Sequence, residues 1–204
     1  MDPKNSLIKQ YQKLFEMEGI KLELQFGIES GSPEMLQIMK KTHRPEKFLD
    51  RFAELSDVLS ERRVLHRANM IFNHPGETRK TLDETFAYVD RLIDRSDSYL
   101  MWACAQYMHF PGCELDTNRS YYEEKYGSRF IGGDWWKRDD GDLRRLSLDF
   151  VPSRDLEGDG VGLWERMMQE RDQRMRDTLA PKAFRFAAVK YFLDWQDDVR
   201  YQNS

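Results

Sequence analysis

Two strand-to-helix junctions constrain this chain more than any other feature. The first is Leu24-Gln25-Phe26-Gly27-Ile28-Glu29-Ser30-Gly31-Ser32, the second Met70-Ile71-Phe72-Asn73-His74-Pro75-Gly76-Glu77-Thr78. Each is a short, mostly apolar run that ends in small and polar residues and then opens a helix. Parallel α/β proteins present their ligand-binding groups at such strand ends. The spacing of apolar residues extends the pattern along the chain. Helices are expected over 6–18, 33–41, 45–63 and 78–94, and strands over 20–28, 64–72 and 99–110. After the first helix the order is β-α-α-β-α-β, which implies parallel pairing through right-handed crossovers. A sheet of so few strands keeps two edges and does not close a barrel.

Beyond Glu114 the texture changes. Residues 116–160 are rich in Asp, Gly, Arg and Tyr with little periodicity, and read as irregular structure wrapped on the sheet. Helical spacing returns over 162–178 and 181–195, the two separated by Ala180-Pro181. The expected organisation is therefore an α/β unit over 1–115 and an irregular and helical extension over 116–204.

Composition excludes several classes. With 40 % apolar and 33 % charged residues and a mean hydropathy of -0.78, the chain is globular. No apolar run approaches the roughly 20 residues of a membrane-spanning helix. Met1-Asp2-Pro3-Lys4-Asn5 lacks the layout of a signal peptide, so a cytoplasmic location is expected. Net charge is -4 with Lys and Arg scattered among Asp and Glu, so neither a nucleic-acid nor a membrane partner is expected. The two cysteines, Cys104 and Cys113, are too few to ligate a metal cluster and read as reduced thiols, with proximity to a ligand as the alternative.

The junctions carry the chemistry. Gly31 permits a tight turn, the following helix start offers positive partial charge, and Ser32-Pro33 reads as an N-cap with proline after it. Ser30 and Ser32 donate or accept hydrogen bonds and Glu29 accepts them; capping alone is the plainer alternative. Pro75-Gly76 marks a turn and Glu77-Thr78 the start of a helix, with His74 expected to be solvated in the loop. Tyr107-Met108-His109-Phe110-Pro111-Gly112-Cys113-Glu114-Leu115 closes the third strand. His66, mid-strand, reads as packed, and no residue stands out as a general acid or base.

The string from Phe26 to Lys41 resembles a radical S-adenosylmethionine (SAM) pattern, Gly-Ile/Val-Glu-Ser-Gly-Ser followed by a spaced Leu, Met and basic residue, matched here by Leu36, Met39 and Lys41. The second junction resembles the F-G-x-P-G-E-T segment of the same superfamily, with Asn73 in place of Gly. The third resembles Y-x-P-F-P-G-T-x-L, with Cys113 in place of Thr. Together they are most similar to the second half of a radical SAM barrel of the cobalamin-associated branch. That resemblance implies a partial, TIM-like barrel in which Glu29, Ser30 and Ser32 line the ribose and methionyl end of SAM. By the same resemblance Lys41 approaches the SAM carboxylate or ribose, the backbone of Phe72, Asn73 and His74 passes the adenine, and Tyr107 and His109 stand at the mouth near adenine or substrate. Asp134-Trp135-Trp136-Lys137 and Val151-Pro152-Ser153 resemble, faintly, the tails that follow such barrels.

In that superfamily a Cys-x3-Cys-x2-Cys loop holds a 4Fe–4S cluster that binds SAM, and electron transfer cleaves SAM to methionine and a 5′-deoxyadenosyl radical. Neither that motif nor the D-x-H-x-x-G cobalamin loop occurs in the 204 residues. The resemblance therefore implies a C-terminal portion or split subunit acting on a small-molecule substrate, with the cluster, and cobalamin if used, supplied by a partner or an N-terminal half. Strand 64–72 is expected beside an unpaired edge, and the chain alone is expected to be unstable or adhesive. The alternatives are an inactive relic that binds a nucleotide-like ligand or a protein, and a homodimer of two half barrels.

Overall fold

A computed structural model describes residues 24–61, 64–96, 99–110, 112–131, 150–160 and 162–179. The helices expected over 6–18 and 181–195, and the segment 134–137, lie outside the described residues. Three parallel strands, β1 (Leu24–Glu29), β2 (His66–Phe72) and β3 (Tyr99–Gln106), form one sheet in the order β1-β2-β3. Between β1 and β2 lie α1 (Pro33–Ile38) and α2 (Pro45–Glu61); α3 (Arg79–Arg95) connects β2 to β3. After β3 come α4 (Glu114–Thr117), α5 (Arg119–Tyr126), an antiparallel pair β4 (Arg129–Phe130) and β5 (Phe150–Val151), two short 3-10 turns, and α6 (Leu163–Leu179). Strand 64–72, expected beside an edge, is instead central; among the described residues the edges are β1 and β3.

One face of the sheet is dry. Along β2, His66, Ala68, Met70 and Phe72 are buried while Arg67, Asn69 and Ile71 are half-buried, the period-two alternation of a strand with unlike faces. The dry side packs on Leu82, Phe86, Val89 and Leu92 of α3 and on Leu49, Phe52 and Ala53 of α2. Phe72 stacks between Phe86 at 5.1 Å and Trp164 of α6 at 5.2 Å. Arg171 of α6 lies over the Phe86 ring and pairs with Asp90 of α3 at 2.9 Å. α6 thus covers the outer side of the same core. Among the described residues no helix is long and apolar enough to cross a membrane.

Helix ends follow local chemistry. Ser32 caps α1 by accepting from Met35 N, and Thr78 caps α3 in a reciprocal box with Thr81. The helix expected over 33–41 stops at Ile38, because Lys40 turns the chain at a left-handed φ of 52°. Residues 119–126, expected to be irregular, form α5. Its tyrosine-rich sequence carries no apolar stripe, and only Tyr122 is fully buried in it.

The turn after β1 packs closely on α3 at Gly31. A Cβ there would stand 2.6 Å from Tyr88 Cβ and 2.9 Å from the Thr85 backbone. Gly31→Ala is expected to cost about 1–3 kcal/mol, as overpacking of a tight contact does. Urea unfolding of the two proteins measures this, and a loss under ~0.5 kcal/mol, the range of an ordinary surface change, contradicts the close packing.

Candidate functional site

The three strands end side by side, and the candidate residues follow from how each end is held. In β1 the register shifts between Gly27 and Glu29, so β1 advances one residue more than β2 there. Such a bulge re-aims the side chains around it. Glu29 then takes a left-handed φ of 73°, rare for a residue with a Cβ. Its carboxylate meets Lys41 Nζ at 3.2 Å. The pair lies across Gly27, where a Cβ would stand 2.6 Å from Glu29 Oε1 and 3.6 Å from Lys41 Nζ. Glycine keeps this patch flat.

Ser30 and Ser32 do not join that pair. Both are fully buried. Ser30 Oγ lies 2.9 Å from Thr85 Oγ1, which also accepts from Gly31 N at 3.2 Å. Ser32 Oγ donates to Glu84 Oε2 at 2.5 Å while capping α1. Their hydroxyls bind the turn to α3, so at this turn Glu29 and Lys41 are the side chains brought together at the strand end.

The second turn is built around a buried carboxyl. Asn73 sits at φ 56°, and its N–H donates to Glu77 Oε2 at 2.5 Å. Glu77 N donates back to His74 O at 2.9 Å. Glu77 was expected in the first turn of a helix; it stands just before the Thr78 cap, fully buried. Its Oε1 has no hydrogen-bond partner among the described residues. Burial pushes its carboxyl up to about 8, against the opposing pull of the Asn73 N–H. The segment after β5 clamps the same turn: Gly76 N donates to Pro152 O, and Ser153 Oγ donates to Glu77 O at 2.5 Å.

His74, expected to be solvated, is 8 % exposed. Nδ1 lies 2.8 Å from Pro75 O, and the ring meets Tyr107 edge-on at 4.8 Å and Tyr122 at 6.2 Å. Burial drives it down to about 4, so it is neutral at pH 7. Phe72 places its side chain in the core; only its carbonyl reaches the strand end, accepting from Tyr107 N at 2.6 Å.

At the third strand end, Tyr107 OH lies 3.7 Å from Cys113 Sγ, and burial raises the phenol above its ordinary range. His109 Nε2 meets Asp116 Oδ1 at 2.9 Å, and Gly112 N donates to Asp116 Oδ2 at the same distance. The Gly112 N–H, then Arg119, hold the Asp116 carboxyl down to about 2. His109 thus ties the loop after β3 to α4.

The sheet face opposite the helices adds residues that the motifs did not reveal. Gln25, Gly27 and Glu29 of β1 alternate with the core positions, and their neighbours across the ladder are Arg67 and Asn69, paired as Gln25↔Arg67 and Gly27↔Asn69. A parallel strand buried on both faces is nearly all apolar. Gln25 and Glu29 in Leu24–Glu29, and Arg67 and Asn69 in His66–Phe72, are the polar interruptions that mark this face. Among the described residues no three His, Cys, Asp or Glu side chains gather as metal ligands. The chain's two cysteines do not fit a 4Fe–4S cluster, which takes more thiolates than that.

No family model matches the chain. It is 28 % identical over 95 residues to tRNA-2-methylthio-N(6)-dimethylallyladenosine synthase of Acinetobacter baylyi, a span of 46 % of this chain and 19 % of that protein. It is 28 % identical over 75 residues to the synthase of the same name from Bifidobacterium adolescentis, covering 37 % of this chain and 15 % of that protein. The chain thus matches less than a fifth of the length of these curated relatives. The matches support a radical SAM relation and do not reach to the cobalamin-associated branch.

Three buried groups whose shifts span about pH 4 to 8 shape how stability varies across that window. Glu77, raised from 4.5 to about 8, stabilises fully below pH 4.5 and loses its contribution as pH rises through about 8. His66, bonded to Ser56 at 2.7 Å, and His74 are lowered from 6.5 to about 4; their contributions are present above pH 6.5 and lost as pH falls through about 4. Two histidines outweigh one carboxyl on the acid side, so stability is expected to peak near pH 6.5. Glu77→Gln removes the decline above that peak. Denaturant midpoints across pH check this, and an unchanged alkaline decline in the variant contradicts it.

Proposed function

We propose that this chain is the C-terminal part of a radical SAM enzyme, a split subunit or the end of a longer protein. It holds SAM at the ends of β1 to β3, and a cluster-bearing N-terminal half completes a TIM-like barrel. The observation that carries the reading is the Glu29–Lys41 pair, held by a left-handed Glu29 across bare Gly27 on the polar face of the sheet. A carboxylate and an ammonium side by side suit the two ends of SAM. Glu29 accepts from ribose hydroxyls, and Lys41 meets the methionyl carboxylate.

The second turn offers backbone at Asn73 and His74 to the adenine, with Glu77 fixing the unusual Asn73 geometry. Tyr107 lines the mouth. Ser30 and Ser32, bonded to α3, position the first turn, and His109 positions the loop after β3 through Asp116. SAM, when bound beside the partner's cluster, supplies the radical chemistry; this chain orients it and walls the substrate side. Cobalamin, where the enzyme uses it, comes with the other half. The polar row Gln25, Arg67 and Asn69 faces the small-molecule substrate. The edges of β1 and β3, unpaired among the described residues, favour closure by further strands, since an unpaired edge recruits a partner.

An anaerobic affinity capture of the full chain from its source, read by mass spectrometry, is expected to return a stoichiometric protein carrying Cys-x3-Cys-x2-Cys. A chain that is captured alone, melts cooperatively as a monomer and occurs in no longer protein contradicts the split-enzyme reading. In the captured pair, Glu29→Gln is expected to weaken SAM binding about tenfold, the worth of one hydrogen bond to a charged group. Unchanged affinity contradicts the role given to the Glu29–Lys41 pair.

A further inference from the structure

A cavity lies beside the strand ends, outside the residues given to SAM. It holds about 430 Å³ between the turn after α1 and the helices α4 and α5, a volume typical of small-molecule pockets. Ile38 and Lys40 line it from the α1 side, and Tyr121, Tyr122, Lys125 and Tyr126 from α5. The tyrosines connect it to the second turn. Tyr122 stands 6.2 Å from the His74 ring, and a Cβ at Gly76 would stand 3.3 Å from the Tyr126 ring. On the α1 side Lys40 directly precedes Lys41, the partner of Glu29. Three of the eight residues of Arg119–Tyr126 are tyrosines, yet only Tyr122 is fully buried and Tyr121 is 49 % exposed. An aromatic ring left in water forgoes the burial that usually holds it.

The charges around the cavity suit an anion. Glu114, the carboxylate of the lining, is already engaged: Oε1 holds Lys40 at 2.7 Å and Oε2 accepts from Tyr122 OH at 3.1 Å. Lys125 is the cation left over. It donates to Tyr121 OH at 2.7 Å and stands 5.1 and 5.0 Å from the Tyr121 and Tyr126 ring centres. Its bonds to the Tyr121 and then the Tyr126 hydroxyl hold the ammonium above its usual range, so it is charged at physiological pH. Among the described residues no carboxylate pairs with it. An ammonium carries three N–H donors, more than two phenols take. We propose that this cavity binds a planar aromatic acid, its ring against Tyr121 and its acidic group on Lys125. A cationic ligand is disfavoured, because the carboxylate is taken and the unpaired charge is positive. The inference rests on the SAM reading in that the ligand is the enzyme's substrate, whose ring the cavity anchors beside the strand ends.

The test titrates three probes into the full chain, labelled with ¹⁵N in the backbone and ¹³C in the tyrosine rings. The probes are 2-naphthoate, 2-naphthamide, which keeps the ring without the charge, and cyclohexanecarboxylate, which keeps the charge without the aromatic ring. 2-Naphthoate is expected to move the Tyr121 and Tyr126 ring resonances and the Lys40 and Lys125 amides. It is expected to bind about fivefold or more tighter than either control, as one added contact of each kind implies. Lys125→Gln is expected to bind 2-naphthoate no better than 2-naphthamide, and Tyr121→Leu no better than cyclohexanecarboxylate. Both side chains are exposed, so the variants are expected to keep the native amide spectrum away from the cavity. Equal affinity of the native chain for 2-naphthoate and 2-naphthamide, or unmoved tyrosine rings, overturns the proposal and leaves the SAM reading standing. SAM added to the same sample tests that reading separately. If SAM moves nothing at Gly27–Ser32 while 2-naphthoate still seats, the SAM reading falls and the substrate role of the cavity is overturned with it.

Discussion

The contact between the first strand end and α3 is the constraint on which the site depends. Gly31 lies against Tyr88 and Thr85 with no room for a Cβ, and Thr85 Oγ1 is shared by the Ser30 hydroxyl and the Gly31 N–H. These are buried polar groups satisfied by one another, an arrangement that costs free energy if any member moves. With the turn pinned from below, the chain just before it has little freedom. The bulge at Gly27–Glu29 and the left-handed Glu29 lie directly upstream, and they carry the carboxylate to the other side of the sheet, where Lys41 meets it. The serines act on the helix side so that the glutamate can act on the polar side.

The second turn follows the same logic with a different device. Glu77 folds under Asn73 and closes the loop on itself, and the Pro152–Ser153 segment clamps it from outside. The residues after β5, far along the chain from β2, are part of what shapes the second turn. Arg79 N also reaches Asp155, so one short segment engages the turn and the start of α3 together. Backbone in sparsely populated conformations at two of the three strand ends is stored strain, and it persists because buried hydrogen bonds over-determine it.

The strand and helix pattern was legible because apolar spacing is a direct imprint of burial. Leu82, Phe86 and Val89 on α3 and Phe52 and Leu59 on α2 occupy the inner faces that their spacing indicates. The α5 segment was not legible, since Arg119–Tyr126 owes its helix to Tyr122 and to tertiary contact rather than to a stripe. At the site, Glu29 and Lys41 were readable as a motif, but their pairing across Gly27 was not, because it depends on a register shift. The direction of the Ser30 and Ser32 hydroxyls was equally hidden, as either side of the turn satisfies a serine. Glu77 reads as an ordinary helix-opening acid; its turn is clamped through the backbone by Pro152 and Ser153, which no local pattern connects to it. Arg67 and Asn69 were visible in principle, as polar interruptions at period two in a parallel strand.

The central claim is that the ends of β1, β2 and β3 form one ligand surface. Titration of SAM into the isotopically labelled full chain, followed through backbone amide resonances, tests it most directly. The account requires shifts concentrated at Gly27–Ser32, Lys41, Asn73–Glu77 and Tyr107, with the helix faces of α2 and α6 unmoved. Shifts confined to the helix faces, or none at concentrations that saturate authentic SAM-binding proteins, contradict it.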